Sequence, residues 1–176
     1  MLSSLRHLLV VGCLTLAACG FEPLYGDRTD AAATEDILAF VGVPPIANRT
    51  GQMVRIELTN RLTPTRPSPP SRYTLNVKLT QSKASLAVKN DASATRANLT
   101  ITASFELLLN SDSTVLTKGS VRSVNGYDIL LSDFATLSAE ADARRRGAKD
   151  ISDGIVDRLA IYMARNAQAL SGERVR

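Results

Sequence analysis

The sequence predicts an α/β (α+β) two-layer sandwich: about four strands in a mostly antiparallel sheet, with two helices on one face, in the order β-α-β-β-β-α. Three observations carry this expectation. Long segments between Tyr73 and Ser123 alternate apolar and polar residues with the period of a half-buried strand. Gly51–Leu62 and Ala139–Tyr162 instead repeat apolar residues every three or four positions, as a surface helix does. A sheet with one apolar face must be covered, and two amphipathic helices can cover it.

Each element follows from local composition. Ile37–Ala47 (ILAFVGVPPIA) is β-rich, and Pro44-Pro45 confines its end to a sheet edge or an exit from the sheet. Thr50 can cap the helix that follows, its hydroxyl accepting from free backbone N–H groups of the first turn. Met53, Val54, Leu58 and Leu62 then recur at helical spacing. Thr63–Arg72 (TPTRPSPPSR) stops the helix, because its prolines tolerate neither helix nor central strand; an extended connector is expected there.

In the first long strand Tyr73, Leu75, Val77 and Leu79 alternate with Thr74, Asn76, Lys78 and Thr80. The apolar parity then shifts to Ala84, Leu86 and Val88, which a bulge between Thr80 and Lys83 would produce. A turn at Asn90–Ser93 leads to Ala97, Leu99, Ile101, Ala103, Phe105, Leu107 and Leu109 on one parity. A second turn at Asn110–Ser113 leads to a third strand over Thr114–Ser123 or a little beyond, ending before Asn125-Gly126. Arms of about 15 residues are long against the usual 5–6, so the first hairpin should project past the core. Ser132 or Asp133 can cap the last helix, whose packed stripe is Ala139, Ala143, Gly147, Ile151, Ile155, Leu159 and Tyr162.

The N-terminus has the parts of an export signal. Arg6 supplies a positive start, Leu8–Leu16 an apolar run too short to span a bilayer, and Ala17-Ala18 the small residues before a cut. Cys19 stands directly after them. An ordinary signal with an incidental cysteine is the plainer reading; the order Leu16-Ala17-Ala18-Cys19 favours a lipobox, whose thiol carries diacylglycerol. Gly20 fits sorting to the outer membrane, and buried acyl chains then anchor the chain without a membrane-spanning helix. The expected organisation is a removed signal over 1–18, a lipidated tether over 19–36, one α/β domain over 37–170 and a frayed end over 171–176.

Cleavage would remove Cys13, His7 and Arg6 and leave a net charge of +3 with no histidine. With the Cys19 sulfur on lipid, that excludes a disulfide, the usual Cys/His zinc sites and nucleophilic catalysis that needs an imidazole base. No metal site, catalytic group or cofactor is expected beyond the covalent lipid on Cys19. The charge balance and motifs are not those of a nucleic-acid protein.

Two basic clusters remain. Arg144-Arg145-Arg146 reads as a solvated helix face, with Glu140–Arg144, Asp142–Arg146 and Arg146–Asp150 as pairs at i,i+4. Lys83, Lys89 and Arg96 flank the end of the long hairpin. Either they protect an edge strand, or they form a prong that binds phosphate through charge-assisted hydrogen bonds.

The run Leu16-Ala17-Ala18-Cys19-Gly20-Phe21-Glu22-Pro23-Leu24-Tyr25-Gly26 resembles the start of lipopolysaccharide-assembly lipoproteins of the LptE type, in their alphaproteobacterial form. Val43–Gln52 (VPPIANRTGQ), entering a helix through Leu58 and Leu62, is similar to that family as well, as is the element order. The resemblance implies an outer-membrane lipoprotein on the periplasmic face. It would plug and help assemble a β-barrel translocon, LptD-like, and assist insertion of lipopolysaccharide into the outer leaflet. By position Lys89 best matches the family's basic prong, with Arg96 and Lys83 beside it. The alternative is an auxiliary lipoprotein of an ABC-type lipid transporter, which would share the anchor and a similar build.

Overall fold

The computed structural model describes residues 37–63, 70–88 and 94–172. The expected signal and tether, most of the proline-rich connector and the turn containing Lys89 lie outside them.

Six elements follow one another: β1 (Val41–Gly42), α1 (Asn48–Leu62), β2 (Tyr73–Val88), β3 (Ala94–Leu109), β4 (Val115–Asp128) and α2 (Asp133–Gly172). The strands form one sheet in the order β1-β2-β3-β4. Strand β1 runs parallel to β2 through Val41↔Tyr73, whereas β2–β3 and β3–β4 are antiparallel hairpins. This is the predicted α+β order, with both helices on one face. Only two residues of Ile37–Ala47 join the sheet: Ile37-Leu38 is helical, and Pro44-Pro45 cannot continue a ladder.

Odd-numbered positions of the sheet face the helices. Tyr73, Leu75, Ala97, Leu99, Ile101, Ala103, Phe105 and Leu107 are buried against Val54, Leu58 and Leu62 of α1 and Ala143, Ile151, Ile155, Leu159 and Met163 of α2. Both predicted helical stripes are therefore the packed ones. Close approach is possible because the helix–sheet contact includes glycines. A Cβ on Gly147 would sit 2.7 Å from Ile101 Cδ1, and one on Gly154 2.8 Å from Val121 Cγ1. Between the helices the buried Ser152 hydroxyl donates to Ala148 O at 2.8 Å, with Val54 O of α1 at 3.3 Å.

Several local expectations are corrected. No bulge separates Thr80 from Lys83: pairing runs unbroken from Tyr73↔Leu109 to Ser85↔Ala97, with shifts only around Ala87. The covered parity does not flip; it becomes polar. Gln81 and Lys83 continue it, and there they meet polar groups of the helices, Thr50 at 3.3 Å and Glu140 at 2.7 Å. Thr50 is thus a buried sheet contact and not a cap. Ala47 occupies the capping position without a side-chain hydrogen bond, and Asn48 takes the left-handed conformation at φ 70°, which asparagine tolerates. Ser132 does cap α2, its Oγ accepting from the Ala135 N–H at 3.4 Å.

The third long strand does not end before Asn125-Gly126 but continues to Asp128. Asn125 is buried, and its amide donates to Ser123 Oγ at 2.7 Å and Asp150 Oδ2 at 3.3 Å, while Ser123 donates to the same carboxylate at 2.7 Å. Asp150→Ala should leave these donors short of an acceptor and lower stability by about 1–3 kcal/mol in urea unfolding, toward the low end because water reaches Asp150. A loss below about 0.3 kcal/mol would show the network to be dispensable.

At the β3–β4 turn Asp112 accepts from the Thr114 N–H at 3.0 Å, and that bond holds its carboxyl below the usual value. A depressed carboxylate stabilises the fold above its unfolded pKa, and the contribution is lost as pH falls through the folded one. The Thr114 amide resonance should accordingly stay constant through mildly acidic pH and shift only below the ordinary aspartate range. A midpoint at or above that range would contradict the bond.

Candidate functional site

Two regions of the surface combine functional chemistry with geometry, and they lie on different parts of the sheet.

The first is the distal end, where the β2–β3 hairpin closes and β4 passes into α2. Of the predicted basic residues, the structure brings Lys83 and Arg96 there and holds both with carboxylates. Lys83 Nζ lies 2.7 Å from Glu140 of α2, and Arg96 Nε donates to Asp128 of β4 at 3.2 Å. Lys89 lies outside the described residues. The overhang is shorter than the arm length implies: both arms are 16 residues, but Ala97 is still buried. Glu140, two turns into α2, reaches Lys83 at this end.

Beside these charges is a feature that sequence reading missed. Leu130, Leu131, Phe134 and Leu137, at the β4–α2 junction and on the first turns of α2, are exposed, Leu131 completely. Single exposed leucines are ordinary; four large apolar residues within eight positions are a patch, and patches mark contact surfaces. The signal was present in the run Ile129-Leu130-Leu131 with Phe134 and Leu137 at helical spacing. Hydrophobicity alone reads such residues as core.

The arginine cluster on α2 behaves as a structural face. Arg144 pairs with Glu140 at 2.5 Å and Arg145 with Asp142. Arg146 does not pair with Asp142 or Asp150 as expected. It donates to Gly126 O at 3.0 Å and tacks the helix to β4. Asp153 is bridged to Arg61 of α1 at 2.5 Å and faces Lys149 at 3.6 Å.

The second region is the open face of the sheet, built by the even-numbered positions. It is polar across its width: Asn76, Lys78 and Thr80 on β2, Thr102, Ser104 and Glu106 on β3, Lys118, Ser120 and Arg122 on β4. A groove of about 440 Å³ crosses it, lined by Asn76, Lys78, Ser104, Glu106, Lys118 and Ser120 among others. Among the described residues no helix is long and apolar enough to cross a membrane.

A sheet open on one polar face, backed by two helices and ending in a charged and apolar tip, defines a two-layer α+β module. The family model for lipopolysaccharide assembly, LptE, matches residues 39–159. The chain belongs to this family, whose members work with the lipopolysaccharide transport machinery. Solved structures share the fold. A Caulobacter crescentus lipoprotein aligns with TM-score 0.63 at 23% identity, covering 74% of this chain and 95% of that one. A minor lipoprotein from Acinetobacter baumannii aligns with TM-score 0.53 at 16% identity, covering 69% and 90%. Rare lipoprotein B from Shewanella oneidensis aligns with TM-score 0.50 at 12% identity, covering 74% and 98%. No curated protein matches the sequence.

Proposed function

We propose that this protein is an outer-membrane lipoprotein, anchored at the periplasmic face through lipid on Cys19, that plugs an LptD-like β-barrel. There it helps the barrel assemble and assists delivery of lipopolysaccharide to the outer leaflet. The observation that carries the reading is the family match over residues 39–159. The open sheet face supports it, because a plug must remain wetted inside a lumen and this face exposes hydroxyls, amides and charges. The role needs no catalysis and no cofactor besides the anchor.

The distal end is where lipid would be handled. Lys89, Arg96 and Lys83 supply the cationic side, and Leu130, Leu131, Phe134 and Leu137 the apolar side. Lys83 and Arg96 already have carboxylate partners, so a phosphate would have to replace Glu140 and Asp128. Arg96 and Asp128 are both exposed, and such a pair holds by about 0–1 kcal/mol, so that exchange is easy; Glu140 is mostly buried but keeps Arg144 when Lys83 leaves. The Lys83 and Arg96 side chains freed in this way compete with the divalent cations that bridge phosphate-rich lipid.

Two experiments test the reading. A tagged chain drawn from outer membranes in mild detergent should bring down a large β-barrel at one-to-one. Recovery with inner-membrane transport components and no barrel would instead support an auxiliary lipoprotein of an ABC-type lipid transporter. Lys89→Glu combined with Arg96→Glu should weaken lipopolysaccharide binding at least tenfold and raise envelope permeability. Unchanged binding and permeability would remove the prong from the mechanism.

A further inference from the structure

The open sheet face carries an imbalance that the distal end does not. Among the described residues, Lys83, Arg96, Arg144, Arg145 and Lys149 each have a carboxylate partner. Lys78, Lys118 and Arg122 have neither an ion pair nor a hydrogen bond among them, although Glu106 is directly opposite Lys118. All three lie on the same face of the sheet. Their positive charge is thus left over in one place, with one carboxylate in its midst.

Register places them around the groove. Lys78 is opposite Ser104, which is opposite Ser120; one row further along, Asn76, Glu106 and Lys118 stand side by side. Neighbouring strands are about 4.8 Å apart and alternate residues about 7 Å, so the Lys78 and Lys118 Cα atoms are roughly 12 Å apart across β3. A lysine side chain reaches about half that distance, and two ammonium groups can therefore meet one anion held over Ser104 and Ser120. Edge protection accounts for a lysine and an arginine on β4. It does not account for a concavity in which hydroxyl, amide and carboxylate groups stand between two cations, over a floor that also includes Phe105 and Gly119.

We propose that this groove is a second anion site, separate from the hairpin end, and that it takes a phosphorylated sugar. Lys78 and Lys118 hold the phosphate oxygens through charge-assisted hydrogen bonds. Glu106 and Asn76 accept from, and Asn76, Ser104 and Ser120 donate to, the ring hydroxyls. Glu106 selects for this class: a carboxylate beside the anion repels bare phosphate and becomes useful only when a hydroxyl is present to donate to it. An acidic protein wall is the other occupant a cationic face can take. The groove's concavity and its mixture of donors, acceptors and apolar lining favour the sugar phosphate, whose ring offers both hydroxyls and C–H faces, since a flat protein contact requires no concavity.

The assignment rests on the sheet's geometry and does not depend on the barrel. The test is calorimetric titration of the full chain in mild detergent with glucose 1-phosphate, glucose, inorganic phosphate and micelles of a phosphorylated glycolipid. The sugar phosphate, free or lipid-borne, should bind more tightly than glucose or inorganic phosphate. Binding of the lipid-borne form alone would assign the ligand to a headgroup, and equal binding of the free sugar to a soluble source. Lys78→Gln with Lys118→Gln should weaken it at least tenfold while the circular dichroism spectrum is unchanged, and Lys89→Gln should have no effect on this site. No saturable binding in either form, or equal binding by the double variant, would overturn the proposal. So would a double variant that keeps the sugar phosphate and loses a co-purifying barrel, because the face would then be a protein contact. Failure of the wild-type chain to recover any barrel would count against the plug reading alone.

Discussion

Ile101→Ala should lower stability by about 2–5 kcal/mol, among the largest losses expected of a single truncation in the sheet. Ile101 is fully buried in β3, with strands paired on both sides, and its Cδ1 fills the space opposite Gly147 of α2. Truncation removes three carbons' worth of contact at one remove from the helix backbone, where neither a rigid strand nor a long helix can collapse into the gap. The same contact predicts a coupling. Gly147→Ala alone places a Cβ 2.7 Å from Ile101 Cδ1, so the gain in helix propensity, about 1 kcal/mol, is offset by crowding. Ile101→Val removes that methyl. The double variant Gly147→Ala, Ile101→Val should therefore be more stable than the sum of the two single effects by at least about 0.5 kcal/mol. Additive urea-unfolding energies would show that the two residues do not share the space assigned to them.

Gly51→Val should be the most damaging change in α1, with a loss of about 3 kcal/mol and a weakened helix. A Cβ there would lie 2.6 Å from Ile46 Cγ2 and 2.9 Å from Ile46 O. The side chain of Ile46 can turn away, but its carbonyl cannot move freely: it follows Pro45, whose φ is locked, and precedes the turn at Asn48. Gly51→Ala should show the smaller net loss of about 1–2 kcal/mol, because crowding then works against a favourable propensity. Gly126→Ala is the control. Its Cβ would meet only Asn98 Oδ1 at 3.3 Å, and it should shift stability by no more than about 0.5 kcal/mol. Thermal melts in which Gly51→Val equals Gly126→Ala would remove the entry into α1 from the set of fixed contacts.

At the distal end the basic residues were legible and their circumstances were not. Lys83 and Arg96 stand out in sequence because their neighbours are small and polar. Their partners, Glu140 and Asp128, come from α2 and β4, and no local spacing announces them. Arg146 shows the same limit. Its sequence neighbours suggest ion pairs at i,i+4, yet β4 presents Gly126 O to it. Lys78 and Lys118 gave no signal at all, since they occupy ordinary polar positions of two strands and become neighbours only through β3.

What the sequence determined by itself was the periodic part of the fold. Alternation from Tyr73 to Leu79 and from Ala97 to Leu107, and the stripe from Ala143 to Leu159, identify buried faces because apolar side chains must leave water wherever the chain folds. Tertiary structure decided whatever depends on polar groups meeting one another. Gln81 and Lys83, though exposed, keep the helix-facing parity because Thr50 and Glu140 meet them there, and Asn125 stays inside a strand because Asp150 and Ser123 satisfy it. It also decided that Leu130, Leu131, Phe134 and Leu137 remain outside. Burial of apolar surface is roughly additive along a chain and can be read from it. A hydrogen bond or ion pair is a relation between two particular positions, and only the folded chain brings those positions together.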